Sequence, residues 1–145
     1  MVNTLSPLKI NQFRKMSPLL NSIARTLIEA WRDFISIRTI YEALVTKSSK
    51  GELTKEEMKR LEVMKADVKV FNDLISGYLG EVEKLGGIVE GLKVCAFGFP
   101  IVIKGSAARM VMLSWTPADG DTLYFHEVDE SFTERQPIIN EGVFV

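Results

Sequence analysis

The sequence predicts an α+β fold: a long antiparallel helical hairpin, coiled-coil-like in its packing, followed by a small, mainly antiparallel β-sheet. Three observations predict it. Apolar residues recur in alternating steps of three and four along two segments of equal length. The link between those segments is short and polar. After Gly91 the pattern changes to β-branched and aromatic residues punctuated by turn signals. At 145 residues and 46% hydrophobic content the chain suffices for a single domain, with a helical part over 1–88 and a strand-rich part over 89–145.

The helices come first. Ser6-Pro7 and Ser17-Pro18 each place a capping residue before a proline suited to a first helical turn, so a short helix is expected ahead of a long one. From Leu20 the seam runs Leu20, Ile23, Leu27, Ala30, Phe34, Ile37, Tyr41, Leu44. After the polar link, Thr54 and Glu57 make a capping box, and a second seam runs Leu61, Met64, Val68, Phe71, Ile75, Tyr78, Val82, Leu85 before stopping at Gly86-Gly87. An antiparallel return pairs Leu44 with Leu61, Tyr41 with Met64, Phe34 with Phe71, Ala30 with Ile75, Leu27 with Tyr78 and Leu20 with Leu85. Ile28, Trp31 and Ile35 form a second apolar patch that two helices cannot bury alone. Either the sheet covers it, or a second copy of the hairpin packs there.

The run LKVCAFGFPIVI, interrupted by Gly98 and Pro100, reads as two short strands or one bent strand. A hairpin follows, with strands over 107–115 and 122–128 joined by a Pro-Ala-Asp-Gly turn. Setting Thr116 opposite Asp121 pairs Leu113 with Tyr124 and Val111 with His126. That register puts Trp115 and His126 on one face and Met112, Ser114 and Phe125 on the other. Both faces are largely apolar, so both should be covered: one by the helices, the other by the first short helix, the tail 138–145 or a second copy.

Net charge is −1, which excludes the broad positive footprint of a non-specific nucleic-acid binder. Arg25 and Arg32, one heptad apart, read as a solvated stripe. From Pro117 onward seven acids face one base, Arg135, so this segment carries −6. The lone Cys95 excludes an internal disulfide and fits a reducing interior. The opening MVNTLSPLKINQF has no apolar run of signal-peptide length, and the uncharged stretch Val94 to Ile103 is too short to span a bilayer, so a cytoplasmic protein without membrane contact is expected.

Four short motifs carry a resemblance: GFP at Gly98 to Pro100, LSW at Leu113 to Trp115, FHE at Phe125 to Glu127, and SFTERQPI at Ser131 to Ile138. In order and approximate spacing they resemble GLVDFP, LCW, WHE and GFxGRxP of an uncharacterised prokaryotic family catalogued as domain of unknown function 2203, and KINQFRKMSPLL is similar to that family's opening helix. His126, Glu127, Phe132, Arg135 and Pro137 match the motifs. Gly98 stands where the family has an acid, Ser114 where it has a cysteine, and the first glycine before the arginine is replaced around Ser131. The resemblance implies no reaction, since the family has none assigned.

The candidate binding residues are therefore Trp115, His126, Glu127 and Arg135. His126 is the only histidine, and one chain offers too few soft ligands for a standard metal site, so no cofactor is expected and a metal at His126 would need groups from a second subunit. A Cys95–His126 dyad would require the two side chains to meet, and strand alternation separates Glu127 from His126. Arg135 could hold a carboxylate or phosphate, but Glu127, Asp129, Glu130 and Glu134 are near enough in sequence to occupy it internally. No catalytic set is complete. The expected function is a non-enzymatic structural or protein-interaction module that self-associates as a dimer or higher homo-oligomer. The alternative is a small-molecule or metal-binding protein, or an enzyme, with its site around His126 and Arg135.

Overall fold

The computed structural model describes residues 7–104 and 107–145; the cap expected at Ser6 lies outside them. Two long helices, α1 (Ile10–Ser49) and α2 (Lys55–Lys84), precede five strands, β1 (Ile88–Gly91), β2 (Ala96–Ile103), β3 (Arg109–Trp115), β4 (Tyr124–His126) and β5 (Gln136–Pro137). The strands pair antiparallel in chain order. The architecture is the α+β arrangement the sequence predicts.

The expected short and long helices are one helix of 40 residues, with Pro18 inside it. Proline lacks the N–H that would reach the carbonyl of Arg14. The Ser17 hydroxyl donates to that carbonyl instead, at 3.0 Å. Ile10 and Phe13 before the proline, and Leu20, Ile23 and Leu27 after it, belong to one buried cluster. Stopping at Ser17 would split that apolar stripe, so tertiary packing overrides the local break. The second helix begins as expected: Glu57 N–H donates to Thr54 Oγ1, and Thr54 N–H to Glu57 Oε1, both at 3.1 Å. It ends just ahead of Gly86, whose φ of +92° suits glycine.

The two helices pack together along the expected seam. Phe34 and Phe71 meet edge to face with centroids 6.2 Å apart, and Leu44, Leu61 and Met64 form a small buried cluster with Ile37, Tyr41 and Leu53. The sheet packs nearer the opposite end, where Leu20, Leu27 and Val82 join its inner face. The second patch is divided: Ile28 packs against the main core, whereas Ile35 stays exposed.

β1 precedes the region where strand patterning was expected to begin, and β2 is one strand of eight residues. Pro100 is tolerated within it because β1 pairs no further along than Gly98, leaving β2 a free side at that point. The β3–β4 register departs from expectation by one residue: Met112 pairs with His126, Leu113 with Phe125 and Ser114 with Tyr124. The connection is longer than a tight turn. Residues Pro117–Asp119 form a 3-10 turn, with the Thr116 N–H and hydroxyl both donating to the Asp119 carboxylate, and pairing resumes only at Tyr124.

A one-residue slip exchanges faces. Trp115 thus lies on the inner face, stacked on Phe97 at 5.9 Å, together with Phe99, Ile101, Val111, Leu113 and Phe125. The outer face carries Met112, Ser114, Tyr124 and His126, with Gly98 opposite Ser114. The tail does not cover that outer face. Phe144 joins the inner core and packs edge to face on Phe125.

Candidate functional site

On the outer face the sheet buries a carboxylate against an imidazole. His126 is 2% exposed, and its Nε2 lies 2.5 Å from Oε2 of Glu90 on β1. Glu90 reaches across two intervening strands because Gly98 has no side chain. A Cβ there would stand 2.6 Å from the Glu90 Cδ. The other ring nitrogen, Nδ1, lies 2.7 Å from the backbone carbonyl of Glu127. A carbonyl only accepts, so Nδ1 carries a proton, and the Nε2–Oε2 contact then requires one more proton shared by the pair. Glu90 and His126 together are electrically neutral.

Two oxygens at this place are buried without a hydrogen-bond partner, Glu90 Oε1 and Ser114 Oγ. Unpaired buried polar atoms cost free energy and are few in folded proteins. Above the pair runs a groove of about 330 Å³, walled by Ile88, Met110, Met112, Val128 and Phe132, with Glu90 and His126 lining it and Glu130 at its side. This is an apolar trough with polar groups converging at one point, the composition of small-ligand sites. A larger hollow at the hairpin tip, lined by Leu53, Met58, Leu61, Glu62 and Lys65, has a Lys65–Glu62 pair and no buried unpaired group.

Arg135 shares the outer face but belongs to a separate arrangement. Its guanidinium forks onto Asp119, with Nη1 to Oδ2 at 2.6 Å and Nη2 to Oδ1 at 2.7 Å, donates to the Ser114 carbonyl, and lies 4.2 Å above the Tyr124 ring centroid. The partner is thus the acid of the 3-10 turn, not Glu127, Asp129, Glu130 or Glu134. Burial pushes the Asp119 carboxyl up, but hydrogen bonds from Arg135 and Thr116 outweigh it and hold the group below the ordinary carboxylate range. Arg135 is correspondingly raised.

Of the residues singled out from sequence, the structure brings His126 and Arg135 to one face without a hydrogen bond between them. Trp115 is in the core on the other side of the sheet, and Glu127 sits at the rim, forked by Arg109 at 3.1 and 2.9 Å, a pairing that lowers its pKa. Cys95 is buried on the inner side with its thiol toward the Ala24 carbonyl, and burial raises its pKa, so it forms no dyad with His126. Among the described residues no group of three or more His, Cys, Asp or Glu side chains is placed to hold a metal ion.

A protein-family profile described as "Uncharacterized conserved protein (DUF2203)" matches residues 9–138. The chain belongs to this family. The match takes in both helices, β1 to β5 and every residue of the Glu90–His126 site. No curated protein and no solved structure matches the chain. The space that a side chain at Gly98 would fill holds the carboxylate of Glu90 from the neighbouring strand. Glu90 is the site residue that sequence reasoning missed. The available signal was Gly98 itself, a glycine amid bulky strand residues, which marks close approach by another group.

Proposed function

We propose that this DUF2203 member is a non-enzymatic interaction module that self-associates through its helical hairpin. The supporting observation is the apolar surface left on the hairpin beyond the sheet. Val63 is 62% and Val70 64% exposed, and with Leu74 they follow steps of seven and four along α2, one stripe of its surface. Val70 and Leu74 border a groove completed by Ala30 and Phe71, with Thr26, Glu29 and Asp33 as its polar side, while Ile35 adds a further exposed apolar side chain on α1. Two helices alone bury little more than the seam between them. A second hairpin laid on this stripe would complete a four-helix bundle and remove that surface from water. Sedimentation of the wild type beside Val63→Glu/Val70→Glu tests the reading. The wild type is expected to sediment as a dimer and the double variant as a folded monomer, whereas identical sedimentation of the two would refute the hairpin interface.

A second reading, a small-molecule site on the sheet, is favoured by the unpaired buried oxygen of Glu90 beneath the outer groove. No reaction follows from this arrangement. Both nitrogens of His126 are engaged, and Arg135 is held by Asp119. The reading is therefore of binding, with the Glu90–His126 pair as its polar anchor.

No helix among the described residues is long and apolar enough to cross a membrane. A cytoplasmic location belongs to the same proposal, supported by the lone, buried Cys95, which leaves no internal disulfide to form.

A further inference from the structure

We propose that the outer groove binds a small monocationic amine with an apolar alkyl or aryl body, an inference that rests on the second reading above. Glu90 supplies the anchor. Its side chain is 7% exposed, it lines the groove, and Oε2 is used by His126 while Oε1 has no partner. Oε1 accepts hydrogen bonds only, so whatever reaches it from the groove must bring a donor.

Charge selects among donors. The Arg109–Glu127 and Arg135–Asp119 forks are each neutral, and the Glu90–His126 pair is neutral through its shared proton. Glu130 remains. It lines the same groove, and its Oε1 accepts the Glu127 N–H, with no cationic partner among the described residues. The groove thus carries one uncompensated negative charge beside an orphan acceptor. One ammonium group balances that charge and supplies N–H donors to Glu90 Oε1. An anion is repelled by the Glu130 carboxylate, and a neutral alcohol satisfies the acceptor without balancing the charge.

The walls select the remainder of the ligand. Ile88, Met110, Met112, Val128 and Phe132 offer only apolar contact, and two of the five are flexible methionines that accommodate differing shapes. A volume of about 330 Å³ lies at the small end of ligand sites, which suits a short alkyl or aryl chain over a larger cofactor.

The test is an NMR titration of the full chain at neutral pH with 2-phenylethylamine and, separately, with 2-phenylethanol, which has the same body and no charge. The amine is expected to shift the Met112 methyl and His126 ring signals saturably and to bind about tenfold or more tightly than the alcohol, the effect of one charge-assisted hydrogen bond. Glu90→Gln should abolish that preference. Should this buried substitution unfold the protein, the rim variant Glu130→Gln, expected to fold normally, must weaken amine binding while leaving alcohol binding unchanged. Equal binding of amine and alcohol would overturn the ligand class while retaining the site. Binding of neither at these residues would overturn the site reading as well.

Discussion

Glu90, Gly98 and His126 act as one unit, and the cost of changing one depends on the others. A Cβ at residue 98 meets the Glu90 carboxyl at 2.6 Å, and that carboxyl is tied to a buried imidazole and so yields poorly. Gly98→Ala is expected to cost about 1–3 kcal/mol in urea unfolding, the range for overpacking, and distinctly less in a Glu90→Ala background. Equal costs in both backgrounds would show that the two positions are independent. The Asp119–Arg135 fork makes a prediction in pH. Because the folded Asp119 pKa lies below the ordinary aspartate value of 3.8, its contribution is present above that pH and is lost as pH falls through the folded value. The urea midpoint should therefore drop on acidification below about pH 4. Asp119→Asn should be less stable at neutral pH and show a smaller acid-induced drop. His126 and Arg135 were recognisable from sequence as members of short motifs. Their partners were not, because Glu90 and Asp119 reach them through a missing side chain and a structured turn.

At the scale of elements, periodicity made the two helices and their pairing readable, since a heptad seam records which side of each helix is covered. Thr54 and Glu57 likewise announced the start of α2; Thr54→Ala should cost about 1 kcal/mol, measurable by denaturant unfolding. Pro18 misled because local stop signals weigh less than a continuous buried stripe. The residue is exposed, and its missing N–H is compensated only by the Ser17 hydroxyl. Pro18→Ala is thus expected to stabilise the protein by roughly 1–3 kcal/mol, read as a higher urea midpoint; a lower midpoint would mean that proline favours the observed helix over alternatives. The β3–β4 register failed for a different reason. Strand composition is apolar on both faces, so alternation could not fix which side was inward, and the 3-10 turn at Pro117–Asp119 decided it.

For the whole molecule, the fold leaves two distinct surfaces beyond its main core. The inner sheet face and the sheet-proximal end of the hairpin make the main core, the outer face holds the Glu90–His126 groove, and the distal hairpin carries a smaller cluster around Leu44, Leu61 and Met64 with exposed valines beside it. The sequence had shown more apolar helix surface than a hairpin can bury, without showing which part the sheet would take. The structure covers Ile28 and leaves Ile35, Val63 and Val70 to solvent. Association through that remainder is the central claim. Static light scattering of the purified chain over a range reaching high micromolar concentration tests it most directly. The expected mass is twice the 16.3 kDa of one chain, or a higher multiple, and a constant mass of 16.3 kDa throughout would contradict it.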